Sequence, residues 1–68
     1  MIWSDLEDIA EALMAAHPET DPLTVRFTAL REWIAELPDF EDDIHTSNEK
    51  KLEAVQMAWY ELWQENNS

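Results

Sequence analysis

The chain has no glycine among its 68 residues, and this limits the turns it can make. Glycine is the usual residue wherever the backbone must take a positive φ, so the connections here have to run on Pro, Asp, Asn and Ser. A glycine-rich phosphate loop and a dinucleotide-binding fingerprint are both excluded. Pro18, Pro22 and Pro38 are then the main punctuation, and the segments between them carry helical periodicity.

The first segment opens on Ser4-Asp5-Leu6-Glu7, a capping-box pattern in which Ser4 would accept from the Glu7 amide. Leu6, Ile9, Ala10, Leu13 and Met14 follow with the spacing of one buried helix face. The spacing predicts a helix over about 5–16, ended by His17-Pro18. Asp21 is placed to cap a short turn begun by Pro22. Val25-Arg26-Phe27 is β-prone and reads either as a small strand or as an extended connection. Thr28 is the expected N-cap of a second helix over about 29–37, with Leu30, Trp33, Ile34 and Leu37 on one stripe and Pro38 as its stop. Asp39-Phe40-Glu41-Asp42-Asp43 reads as a loop. A last helix over about 47–64 is capped by Thr46 or Ser47, turns Leu52, Val55, Trp59, Leu62 and Trp63 inward, and frays from Gln64 to Ser68. The expected fold is a mainly α, single three-helix domain over 1–68, with room for a short two-stranded sheet.

A chain this short still has material for a core: 46% of its residues are hydrophobic, with four tryptophans, two phenylalanines and one tyrosine. Sixteen acidic residues against four basic ones give a net charge of −12. A surface of that sign repels phosphate backbones and anionic lipid, so neither nucleic acid nor membrane is expected as a partner. Cysteine is absent, which excludes a disulfide, a persulfide carrier and a cluster or zinc ion held on the chain's own thiolates. No long apolar run and no basic leader are present, and the expected location is the cytoplasm.

Nucleophilic catalysis has no candidate constellation, and the chain is not expected to be an enzyme. His17 suits a helix C-terminus, where a partly cationic ring complements the dipole. His45 reads as a solvated loop residue. The acids are more informative. At 100° per residue, Asp5, Glu7, Asp8 and Glu11 fall on the arc of the first helix opposite Leu6, and no Lys or Arg shares that helix. Like charges at i, i+3 and i, i+4 cost a helix a few tenths of a kcal/mol each, roughly. Two uses fit such a surface: docking on a basic protein, or collecting hard cations such as Mg²⁺, Ca²⁺, Mn²⁺ and Fe²⁺. The acidic loop lacks the glycine and the ligand spacing of an EF-hand.

Trp3-Ser4-Asp5, Asp21-Pro22, Val25-Arg26-Phe27-Thr28, Trp33-Ile34, Asp39-Phe40-Glu41-Asp42-Asp43 and Ser47-Asn48-Glu49-Lys50, in that order and spacing, resemble the IscX family of small acidic accessory proteins of bacterial iron–sulphur cluster assembly. The resemblance covers residues 3 to about 59. It implies a helical fold similar to a winged helix, docking on the cysteine desulfurase IscS through complementary charge, competition with frataxin for that enzyme, and weak Fe²⁺ binding by surface carboxylates without a cluster of its own. The implied partner-binding residues are Asp5, Asp8, Glu11, Asp39, Glu41, Asp42 and Asp43. The metal-binding candidates are Asp5, Glu7, Asp8, Glu11, Glu19, Asp21, Asp42 and Asp43, in a protein expected to act as a monomer. Ile44 departs from the family, which often has proline after the acidic run. Glu7 is not a characteristic acidic position, and the tail beyond Trp59 has no match.

Overall fold

The computed structural model describes residues 1–66; Asn67 and Ser68, the end of the expected fraying tail, lie outside the described residues. Three α-helices follow one another as α1 (Leu6–Ala16), α2 (Phe27–Ala35) and α3 (Glu49–Asn66), with 3₁₀ turns at Pro22–Thr24 and Ile44–Thr46. No strand occurs among the described residues. Val25 and Arg26 are extended, at φ −86°, ψ 126° and φ −74°, ψ 149°. They have no neighbouring strand to pair with, so the short sheet does not form. No residue takes a positive φ among those described, in keeping with a chain that has no glycine.

Each helix buries the centre of the stripe its spacing predicts. Ile9, Ala10 and Leu13 from α1, Leu30 and Ile34 from α2, and Leu52, Val55 and Trp59 from α3 form one core with Trp3, Val25 and Leu37. Leu6 and Met14 pack against its edge, as do Trp33 and Leu62. The side chain of Gln56 on α3 donates to the Pro22 carbonyl at 3.0 Å, which fixes the first 3₁₀ turn to the long helix.

Helix starts differ from the capping patterns in a consistent way. Ser4 is exposed and lies in a turn before α1, closed by the Asp5 N–H donating to the Ile2 carbonyl at 2.9 Å. Asp5 takes the N-cap position, but its carboxylate accepts from the Ile2 N–H at 2.9 Å and caps nothing in the helix. Helix α2 begins at Phe27, with Arg26 at its N-cap and Thr28 already inside. Phe27 packs on the core edge, and apolar burial outweighs a hydroxyl cap. At α3 it is Asn48 that caps, its side-chain oxygen accepting from the Lys51 N–H at 2.9 Å.

At the other end, α3 remains helical to Asn66 instead of fraying from Gln64. The Asn66 amide donates to the Leu62 carbonyl at 3.0 Å, and Gln64 donates to the Tyr60 hydroxyl at 2.8 Å. Trp63 is half-buried, with its ring stacked on Tyr60 at 6.3 Å between centroids.

Candidate functional site: two acidic surfaces

The first surface is the outer face of α1. Its opposite side is pinned in the core by Ile9, Ala10 and Leu13, which leaves Glu7, Asp8 and Glu11 exposed. These three carboxylates make no hydrogen bond among the described residues. Asp5, one turn earlier, is half-buried and held by the Ile2 N–H. Glu7 and Asp8 lie in the first helical turn, where the helix dipole stabilises negative charge; Glu11 lies beyond that help.

The second surface is the 39–43 loop, held in place from the start of the chain. The amino group of Met1 donates to the Asp39 carbonyl. The Glu41 N–H donates to the Met1 carbonyl at 2.8 Å. Trp3 contributes most: its backbone N–H donates to the Asp42 carboxylate at 3.2 Å, and its indole Nε1 donates to the Asp43 carbonyl at 3.2 Å and to Thr46 Oγ1 at 3.1 Å. Its ring meets Phe40 edge-on at 5.0 Å. The sequence pattern does not single out this role, because Trp3 precedes the first helix and belongs to no periodic stripe.

The loop acids therefore divide in two. Asp42 accepts from the Trp3 and Asp43 N–H groups. Asp43 caps the second 3₁₀ turn through the His45 N–H at 2.8 Å. Asp39 and Glu41 are exposed, with their side chains unbonded among the described residues. The turn before α2 repeats the division: Asp21 accepts from the Leu23 N–H at 3.0 Å, whereas Glu19 is exposed.

Two of the four cations make side-chain contacts near the loop. Lys51 donates to the Thr46 carbonyl at 3.0 Å and lies 5.8 Å from the Trp3 ring centre. Arg31 donates to His45 Nδ1 at 3.2 Å; guanidinium has no acceptor, so this nitrogen must accept. Both cations thus stand beside the second 3₁₀ turn and the end of the acidic loop. Helix α1 carries none, and its carboxylate face is the less compensated of the two surfaces. His17 caps the C-terminus of α1 and stacks on Trp33 at 3.9 Å and 14°, away from any acidic pair that could make it a ligand.

The metal candidates do not converge. Among the described residues, no three His, Asp or Glu side chains lie close enough together to hold an ion. Asp5, Asp21, Asp42 and Asp43 are bonded to backbone N–H groups, while Glu7, Asp8, Glu11 and Glu19 point into solvent. Hard cations need several oxygens in one shell, and the described residues build no such shell. No helix among the described residues is long and apolar enough to cross a membrane.

The chain is thus a small, cysteine-free helical domain with carboxylates displayed on α1 and on a Trp3-anchored loop. A 51% identical relative, an uncharacterized protein of Pseudomonas aeruginosa, aligns over 59 residues, covering 87% of this chain and 89% of its own length. The iron–sulphur cluster assembly family matches residues 1–64. The chain therefore belongs to the iron–sulphur cluster assembly family that the sequence resembles, the IscX family.

Proposed function

We propose that this protein is an accessory regulator of iron–sulphur cluster assembly that docks through its carboxylate face on the cysteine desulfurase IscS and tunes cluster formation. The observation that carries this reading is the outer face of α1, where Glu7, Asp8 and Glu11 are exposed on a helix without a basic residue. Such a face keeps like-charge repulsion that no side chain of its own helix offsets, and a basic partner removes it. Asp39 and Glu41 extend the displayed charge onto the loop, in a position set by Trp3. Family membership supplies the pathway; the identity of the partner, and competition with frataxin for it, come from the resemblance.

In this reading Fe²⁺ is a cargo or signal. It is held weakly by the displayed carboxylates, because no three among the described residues converge on a shared site. The protein supplies charge and position, and no cluster chemistry of its own. An iron-donor role is the alternative, and it needs a ferrous preference that exposed carboxylates alone do not give. Calorimetry with Fe²⁺, Mg²⁺ and Ca²⁺ under anaerobic conditions separates the two. Comparable weak binding of all three fits the docking regulator, and a clear ferrous preference favours delivery.

The decisive experiment titrates the desulfurase with this protein at rising ionic strength. Affinity should fall steadily with salt, since exposed charge pairs are screened beyond about 10 Å at 0.1 M. An affinity indifferent to salt removes electrostatic docking as the mechanism.

A further inference from the structure

Helices α1 and α3 leave an open groove between them of about 440 Å³, with an apolar floor of Leu6, Ala10, Ala58 and Leu62. Glu7 and Glu11 line one wall, and Glu61 and Glu65 line the other. On each helix the two glutamates are four residues apart, which sets them about 6 Å apart along the axis. The walls therefore present two pairs of carboxylates with one helical turn between members. Alanine at 10 and 58 keeps the centre of the floor low.

We propose that this groove seats a basic amphipathic helical segment of a partner protein, with one aliphatic side chain resting over Ala10 and Ala58 and Lys or Arg residues one turn apart reaching the glutamate walls. Charge complementarity selects that occupant. The lining contains four acids and no base. The only basic residues on α3, Lys50 and Lys51, lie at its start, about 15 Å along the helix from Glu61. The Glu7–Glu11 pair is repulsive at i, i+4 spacing, and a cation set over it reverses the sign of that interaction. An acidic or neutral segment leaves the repulsion in place, and a polar segment leaves the Leu6 and Leu62 surfaces wet. Helix-in-groove recognition uses anchors at this same one-turn spacing. The proposal rests on the docking reading in one respect, that the partner is a basic protein, and it adds the shape of the element recognised and a contribution from α3.

The test uses the full chain and a synthetic helical peptide with lysines at i and i+4 flanking a leucine, alongside a control of the same composition in scrambled order. Binding is measured by fluorescence anisotropy and mapped by backbone amide shifts. The patterned peptide should bind at least tenfold more tightly than the scrambled one, with the largest shifts at Ala10, Ala58 and Leu62. Ala58→Phe fills the floor without touching a charge and should lower affinity at least tenfold. Glu61→Gln, an exposed change that leaves the core alone, should lower it about threefold to tenfold, and guards against a folding defect in the first variant. Equal binding of both peptides, or shifts confined to Asp8 and the 39–43 loop, overturns the groove. The desulfurase is titrated in parallel: if it binds with normal salt dependence while the patterned peptide does not, the groove fails and electrostatic docking stands.

Discussion

The indole Nε1 of Trp3 donates to the backbone carbonyl of Asp43 at 3.2 Å, across forty residues of sequence. That bond joins the segment leading into α1 to the end of the acidic loop, and the neighbouring bond from the Trp3 N–H to Asp42 does so a second time. The two displayed acidic surfaces are consequently fixed relative to each other. A partner that reads both meets a preset arrangement, and binding is spared the entropy of ordering a loop.

Trp3→Phe should loosen the loop more than it disturbs the helices. A six-membered ring is kept, but part of the buried indole is lost, and with it the single Nε1–H shared between Asp43 and Thr46. A net loss of about 1–2 kcal/mol is expected. Native-state hydrogen exchange should show the Glu41 amide, which bonds to the Met1 carbonyl, falling to weak protection through local opening, while the amides of Leu13 and Val55 fall by no more than the global loss. A greater loss at Leu13 and Val55 than this would show that Trp3 serves mainly the global core.

Acids that look equivalent in sequence should separate under substitution. Asp42→Ala deprives two backbone N–H groups, those of Trp3 and Asp43, of their acceptor, and should cost about 1–3 kcal/mol. Asp8→Ala removes an exposed carboxylate without a hydrogen bond and should change stability by no more than about 0.5 kcal/mol. Urea unfolding followed by tryptophan fluorescence measures both. A large loss for Asp8→Ala would show that the α1 face has a structural duty.

These contrasts mark where sequence reading stops. The apolar stripes were legible because period 3.6 is enforced over many residues at once, so Ile9, Leu13, Leu30, Ile34, Val55 and Trp59 are core in both readings. The caps were less legible. Ser4 and Thr28 fit local cap chemistry, but the Ile2–Asp5 turn and the burial of Phe27 override it. Trp3 was hidden because its partners, Asp42, Asp43 and Thr46, are distant in sequence and no periodicity links them. For the same reason a count of carboxylates could not distinguish Asp42 and Asp43, held by N–H groups, from Asp39 and Glu41, which face solvent. Glu61 and Glu65 could have been found: the rotation applied to the first helix puts them beside Ala58 and Leu62 on the last.

Salt should stabilise the fold. Glu7–Glu11 and Asp8–Glu11 on α1 and Glu61–Glu65 on α3 are like-charge pairs at helical contact spacing, each costing a few tenths of a kcal/mol, roughly. Screening them together should recover about 1 kcal/mol, which raises Tm by roughly 4–8 °C in a domain of this size. Differential scanning calorimetry at 10 and 300 mM NaCl gives the comparison. An unchanged Tm would mean that the acidic surfaces carry no strain, and would remove the argument that a partner relieves it.

His17→Ala should destabilise the junction of α1 with α2 and α3. The imidazole stacks on Trp33 at 3.9 Å and lies 6.5 Å from Trp59, and the His17 N–H closes α1 on the Leu13 carbonyl. Removing the ring leaves the backbone bond and deletes the stack, for an expected cost of about 0.5–1.5 kcal/mol. His17→Phe should recover most of it, because a second aromatic can fill the same gap. Failure of phenylalanine to rescue would point to a need for the imidazole nitrogens.

Charge reversal on α1 should separate docking from folding. Asp8→Lys with Glu11→Lys changes the net charge by four units, on a face whose own helix carries no cation and on residues with no hydrogen bond to lose among those described. Stability should change little, since a Lys–Lys contact at i, i+3 replaces the repulsive Asp8–Glu11 one while Glu7 gains an attractive neighbour at i, i+4. Affinity for the desulfurase should fall at least tenfold, and the loss should shrink as salt is raised, because both forms lose their electrostatic contribution together. The matching change in the loop, Asp39→Lys with Glu41→Lys, keeps the Trp3 anchors and reverses a surface already near Lys51 and Arg31, so its effect should be smaller. Equal losses from the two double variants would show that the partner reads total charge, and that the arrangement imposed by Trp3 has no part in recognition.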